Sequence, residues 1–437
     1  MNKNESLTMA MENRIMPIAN KFARQRHLVA IRDAFMSLLP INLVGGLCAI
    51  IKSAPVTEGT TSSILLAWKS FADANGFAFE WLYTLTLGAM SLYICIGVAF
   101  FLCKHYNIPP LLPILFSTVA LLITCGKPIE LGWAGRTMSV SYIDGKGLLP
   151  GILIAIVTVE LYRLMKNKNL FRINLPPSVP ASLSEVFATM IPGTLLIIFY
   201  FLVFYVFNIY ELNLPEFLYT KLTPAYQAAD SLPSVIIITL VTHFLWFFGI
   251  HDAALSGIVG PIRDGNLSIN AGAQMAGQAL PHIYTTPFWV YYVIIGGCGV
   301  TLGLSVLLLF SKSKQLKTVG RVGILPSFFN ISEPIIFGVP LMMNPIFFIP
   351  FLGAATINAI IVYLSMASGL LAKTFAMVSW SMPSVFGAFF SSLDWKAPVT
   401  IILLTILDAL IYLPFLRIYD RNQMALEAME AENEKSK

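Results

Sequence analysis

The sequence predicts an all-α polytopic membrane protein, and three observations carry that expectation. Of its 437 residues, 57% are hydrophobic and 12% charged, against about 25% charged in a soluble domain. The apolar residues gather into runs of about 18 to 25, the length an α-helix needs to cross a hydrocarbon core roughly 30 Å thick. Several runs are interrupted by proline or by a single ionisable residue, and residues 330–340, Asn-Ile-Ser-Glu-Pro-Ile-Ile-Phe-Gly-Val-Pro, combine both. Proline removes an amide donor and pushes the residue before it out of the helical region. This stretch therefore reads as broken backbone that holds the Glu333 carboxylate at membrane depth, beside a polar cavity or inside protein.

Charge and motifs narrow the class. The net charge of +5 comes from short basic clusters at the ends of apolar runs, which is the pattern of topology signals and not of a nucleic-acid surface. The five cysteines lie in or beside apolar segments with no CxxC pair and read as packing residues. The sequence holds no GxxxxGK[ST], no HExxH, no metal-ligand cluster and no placeable Ser-His-Asp triad, so no metal and no cofactor are expected. With no soluble domain in view, a nucleotide-binding or phosphocarrier module has to come from a partner.

In chain order, residues 1–26 carry five basic side chains and no signal-peptide pattern, which places them in the cytoplasm; 9–22 is mildly amphipathic. Spans are expected at 28–51, 81–103, 110–125 and 147–164, with a polar loop at 53–75 and a polar, glycine-containing segment at 126–147. A proline-rich connector follows from residue 173, then a segment in which Ser184 and Glu185 argue against a continuous span, then a fifth span at 191–209. An amphipathic connector, 215–231, separates this first membrane half (27–214) from a second (232–416). The second half is expected to hold spans at 232–250, 287–310, 340–366 and 398–415, a long polar loop at 252–285, and re-entrant segments at 323–338 and 367–393. Gly299 and Gly303 in the 287–310 run have small-xxx-small spacing. The charged tail, 417–437, is expected in the cytoplasm, helical at first and then frayed.

An ionisable group inside a membrane segment costs several kcal/mol unless paired or hydrated, so those groups are the candidate functional residues. Glu333 either caps a broken helix or serves as a ligand or proton site. His251 closes the 232–250 span directly after Trp246-Phe-Phe-Gly-Ile. An aromatic platform beside an imidazole suits a sugar, whose C–H faces stack on rings while its hydroxyls need in-plane partners. Asp252 either orients that ring or faces water, and His243 reads as core. Gly145 and Gly147 allow close backbone approach to a ligand. Trp380 is read equally as a ligand-stacking ring or as a member of an interfacial belt.

Taken together, several segments resemble the membrane permease subunit (enzyme IIC, EIIC) of the lactose/cellobiose family of bacterial phosphotransferase sugar transporters. They are Ile173-Asn-Leu-Pro-Pro-Ser-Val-Pro, residues 184–193, Trp246-Phe-Phe-Gly-Ile-His, and the specific run from Leu316 through Asn330-Ile-Ser-Glu-Pro to Pro340. The resemblance implies about ten transmembrane helices with two re-entrant hairpins, a homodimer built on the N-terminal half, and a sugar site formed mostly by the C-terminal half. It carries the family's binding histidine onto His251, its glutamate onto Glu333 and an aromatic of the second hairpin onto Trp380, with Gly145 and Gly147 in a sugar-contact loop. The family usually has Asn-Ile-Asn-Glu-Pro, where this chain has Ser332, and glycine after the histidine, where it has Asp252. Both departures alter what surrounds the sugar.

The function expected on this basis is binding and translocation of a disaccharide of cellobiose, chitobiose or lactose type across the plasma membrane. Phosphorylation follows from the phosphocysteine of an EIIB partner, itself served by EIIA, HPr and enzyme I. His251, Glu333, Trp380, Trp246, Ser332, Gly145 and Gly147 form the expected binding set, with Glu333 the candidate catalytic group. Two other classes compete: an ion-coupled secondary transporter in which Glu333 titrates, and a non-transporting membrane sensor.

Overall fold

The computed structural model describes residues 25–435 apart from 57–58, 126–128, 139–140, 171–172, 174–175 and 177–179. The amphipathic stretch 9–22, and with it nearly all of the basic N-terminal segment, lies outside the described residues, as does most of the proline-rich connector after residue 173.

The described residues fold into helices, with one two-residue antiparallel pairing among them, between β1 (Ile129–Glu130) and β2 (Arg136–Thr137). Its first part holds α1 (Arg26–Ser37), α2 (Leu39–Lys52), α3 (Ser63–Ala74), α4 (Gly76–Thr84), α5 (Met90–His105), α6 (Leu111–Thr124), α7 (Leu148–Asn167) and α8 (Ala181–Ile209). After α9 (Leu214–Ala229) come α10 (Leu232–Phe247), α11 (Ser256–Met275), a π-helical turn (Phe288–Val293) and α12 (Thr301–Leu308). The chain closes with α13 (Lys314–Phe328), α14 (Glu333–Gly338), α15 (Phe348–Ala367), α16 (Ser384–Ser392) and α17 (Lys396–Lys435). Five helical stretches among the described residues are long and apolar enough to cross a membrane: Gly76–His105, Gly145–Asn167, Val186–Ile209, Phe348–Ala367 and Lys396–Glu430. Counting two bent pairs, α1 with α2 (49°) and α9 with α10 (69°), raises the number to 7.

Several expectations are corrected. The loop expected at 53–75 contains α3, pinned to the end of α2 by the Trp68 indole N–H, which donates to the Ile51 carbonyl at 2.7 Å. Ser184 and Glu185 do not interrupt α8, because they lie in its first turns, before the apolar stretch that starts at Val186. The run 232–250 yields a helix of only 16 residues, paired across a bend with α9. The long loop expected at 252–285 is mostly α11, whose buried Asn266 and Asn270 side chains donate to the carbonyls of Tyr284, His282 and Thr374. The run 287–310 is not one span: it breaks into the π-helical turn, a turn through Gly296, Gly297 and Gly299 at positive φ, and the 8-residue α12. The tail stays helical to Lys435.

Two apolar cores form. One is built from α1, α2, α4 to α8 and their connections; the other from α10, the π-helical turn and α12 to α17. α11 and the extended segment 371–380 join them, with Ala271, Phe375 and Ala376 in the first core and Val259, Leu267 and Met377 in the second. Lipid tails are as apolar as leucine, so close packing and internal hydrogen bonds hold such helices together. Gly303 shows the packing: a Cβ there would stand 2.8 Å from the Ala409 nitrogen of α17. Beside it, buried Asp408 accepts a hydrogen bond from the Asn358 side chain of α15 at 3.1 Å.

α17 is fastened at both ends. Ahead of its first turn, Asp394 accepts from the Ala372 amide at 2.9 Å, while the Lys396 ammonium donates to the Leu370 carbonyl at 2.7 Å. Toward its far end, Asp420 accepts from the Lys312 and Ser313 amides at 3.0 and 2.9 Å. Glu427 accepts from the Ser313 hydroxyl and the Lys314 and Gln315 amides at 2.6, 3.2 and 2.9 Å. Carboxylates at the start of α13 satisfy amides that have no partner within the helix.

Gly303→Val is expected to destabilise the detergent-solubilised protein by about 1–3 kcal/mol through overpacking. Gly353→Ala, where a Cβ meets nothing within 4 Å, is expected to be neutral or to stabilise by up to about 1 kcal/mol. Thermal unfolding midpoints of the two variants check the contrast.

Candidate functional site

The broken segments converge on one residue. Asn330, at φ 61° between α13 and α14, accepts from the Gly296 amide at 3.0 Å and from the Ser384 hydroxyl at 2.9 Å. Its side-chain amide donates to the Met382 carbonyl at 2.8 Å and reaches the Trp380 carbonyl at 3.4 Å. One side chain thus ties together the glycine turn, the Glu333 segment and the Trp380 segment. Gly297 allows the approach, since at φ +96° its hypothetical Cβ would meet Ser332 at 2.6 Å. The extended segment is held similarly: the Tyr291 hydroxyl donates to the Ser379 carbonyl at 2.6 Å, and the Phe375 amide donates to the Ser391 carbonyl at 2.8 Å.

These segments surround a cavity of ≈ 580 Å³, within the roughly 300–1,000 Å³ of small-molecule sites. Its wall includes Trp246, His251, Ser332, Glu333 and Trp380. His251 Nδ1 lies 2.8 Å from Asp252 Oδ1 and 3.1 Å from the Ala253 amide nitrogen, which together fix the ring with Nε2 turned toward Glu333. The distance from Nε2 to Glu333 Oε1 is 3.9 Å, too long for a hydrogen bond and wide enough for one hydroxyl oxygen about 2.8 Å from each. Both side chains are open to the cavity, with 57% and 47% of their surface exposed. Trp246 is buried behind the imidazole, ring centres 4.9 Å apart. Trp380 is half-buried, and its Nε1 has no hydrogen-bond partner among the described residues.

Gly145 and Gly147 do not line this cavity. They form a buried single-turn helix packed against α11, where a Cβ at Gly145 would stand 2.8 Å from the Gly265 carbonyl oxygen and one at Gly147 1.6 Å from the Tyr142 carbonyl oxygen. His243 is buried, with Nδ1 2.9 Å from the Thr239 carbonyl oxygen. The sequence reading gave no role to Arg263 or Asp264 of α11, to Thr286, or to Arg32 and Asn42 beside the α1–α2 bend, all of which line the cavity. The signal was available: Ser256, Gly260, Arg263, Asp264 and Leu267 follow helical spacing along one face.

Comparison with known proteins now adds to this geometry. The family model for "Phosphotransferase system, EIIC" matches residues 32–355. The chain belongs to the phosphotransferase-system EIIC family. The cellobiose-specific EIIC component of Geobacillus stearothermophilus is 31% identical over 95% of each chain. The lactose-specific EIICB component of Streptococcus mutans is 29% identical over 94% of this chain and 72% of its own length. The crystal structure of ChbC, the IIC component of an N,N'-diacetylchitobiose-specific phosphotransferase system, shares 30% identity at a TM-score of 0.86, covering 96% of this chain and 99% of that one. With its apolar helices, this EIIC is a multi-pass membrane permease component, and the ion-coupled and sensor readings lose their support.

Asn330→Ala strips the bonds to Gly296, Ser384 and Met382, each unsatisfied buried group costing about 1–3 kcal/mol. Faster amide exchange at Gly296 and a lower unfolding midpoint are expected. Asn330→Gly relieves the positive φ but replaces none of the bonds, so it is expected to recover only part of the loss.

Proposed function

We propose that this EIIC carries a disaccharide of cellobiose, lactose or chitobiose type across the plasma membrane, held between His251 and Glu333, and presents it to an EIIB module for phosphorylation. The observation that carries this reading is the 3.9 Å gap between imidazole and carboxylate, open to a cavity walled by Trp246 and Trp380. A hydroxyl in that gap donates to Glu333 and accepts from His251 Nε2–H. The sugar's apolar face lies against the half-buried Trp380 indole, which complements C–H surfaces, while Trp246 backs the imidazole. Relatives named for cellobiose, lactose and N,N'-diacetylchitobiose support the sugar class. The lactose relative's EIICB name supports the EIIB partner.

The phosphoryl group passes from the EIIB phosphocysteine to the sugar 6-hydroxyl. The P–S bond breaks, the P–O bond forms, and the hydroxyl proton leaves along its hydrogen bond to Glu333. Positioning dominates the contribution of this chain, because phosphoryl transfer depends on in-line geometry. The negative charge gained makes return to the outward-facing state unfavourable. EIIA, HPr and enzyme I recharge EIIB. The resemblance noted in the sequence extends the proposal to a homodimer joined through the N-terminal half, about ten transmembrane helices per protomer, and cytoplasmic termini.

Glu333→Gln and His251→Ala are each expected to lower uptake of radiolabelled cellobiose, lactose or chitobiose at least about tenfold, the equivalent of one charge-assisted hydrogen bond. Near-normal binding by both variants would remove the site. In vesicles, sugar phosphate is expected only when phosphorylated EIIB is present; its formation with EIIB omitted would overturn the division of labour.

A further inference from the structure

We infer that Arg263 and Asp264 of α11 form a second sugar-binding subsite, which grips adjacent hydroxyls of the ring that is not phosphorylated and sets the preference for a disaccharide over a monosaccharide. The inference rests on the transport reading above and adds a subsite to it.

α11 presents Ser256, Gly260, Arg263, Asp264 and Leu267 to the cavity. Arg263 is only 6% exposed, and its Nε has no hydrogen-bond partner among the described residues. Its guanidinium lies 5.3 Å from the centre of the Trp289 ring. No carboxylate stands within ion-pair distance of it among the described residues. The Asp252 and Asp264 carboxylates balance its charge at a distance, which leaves the Nε–H donor without a partner among the described residues. Asp264 accepts through Oδ1 from the Thr286 hydroxyl, while Oδ2 faces Gly260, whose missing side chain leaves room. A planar donor fork and a carboxylate oxygen outside the Thr286 bond, both lining the cavity, offer one donor site and one acceptor site to two hydroxyls of one ring.

The charges choose a neutral ligand. Asp252, Asp264 and Glu333 line the cavity, facing Arg263, His251 and Arg32, the last already paired with Asp33 at 2.8 Å. An anionic sugar would meet three carboxylates; a neutral one meets matched donors and acceptors.

The test measures binding of cellobiose, lactose and chitobiose, and of the methyl β-glycosides of their constituent monosaccharides, to the purified full-length protein by calorimetry. For the disaccharide that binds wild type, Arg263→Met and Asp264→Asn are expected to weaken affinity at least about tenfold while leaving the methyl glycoside within about twofold. Should Arg263→Met fail to fold, Arg263→Lys, which keeps the charge and loses the planar fork, takes its place in the same comparison. Equal loss for both ligand classes would mean a structural role and overturn the subsite, as would no loss for either. Wild type that binds none of the disaccharides overturns the transport reading and this subsite together, whereas binding that the variants leave unchanged overturns the subsite alone.

Discussion

Non-helical backbone in a membrane protein has to find its hydrogen bonds inside the protein, since lipid supplies none. In this EIIC that requirement is met by side chains, above all Asn330. Its carbonyl oxygen takes the Gly296 amide and the Ser384 hydroxyl, and its amide gives to Met382. The parts of the site hang from this junction: Glu333 three residues on, Ser332 against Gly297, and Trp380 two residues before Met382. Tyr291, Asn270 and Ser391 do the same for the extended segment. The site is rigid because its walls satisfy one another.

The division into two cores gives this rigidity a frame. α1 and α2 run alongside α11: Leu28 lies against Gly257 near their starts, and Lys52 reaches the Met275 carbonyl near their ends. The cavity therefore lies along a seam, with the α1–α2 bend on one side and the Asn330 junction on the other. Pro40, at the start of α2, removes a donor at that bend, where the helix axis turns by 49°.

Much of this was legible in the sequence, and the failures have physical causes. Glu333 and His251 stood out because a lone ionisable residue in apolar surroundings has few neutral explanations. The apolar runs marked most helices because hydrocarbon thickness fixes their length. Apolar content, however, reports burial and not conformation, so 287–310 read as a span although three glycines fold it into turns. The polarity of 252–285 read as exposure, yet α11 keeps its asparagines buried against carbonyls and turns Arg263 and Asp264 into a cavity. A helix polar on two sides for two internal reasons shows helical spacing of its polar residues but no apolar face to mark it as buried. Gly145 lies against α11 and Gly147 against Tyr142 and Ser91, neither at the cavity, because close backbone approach serves packing as readily as a ligand.

The double fastening of α17 bears on how such a site can travel. Its near end holds the start of the segment that leads to Trp380, and its far end holds the start of the helix that leads to Glu333. Between Lys396 and Glu427 the helix runs about 47 Å at 1.5 Å per residue, with Pro414 inside it. It works as a strut that sets the spacing between the two arms of the cavity. A movement that leaves both ends fastened shifts the two arms together and not one against the other.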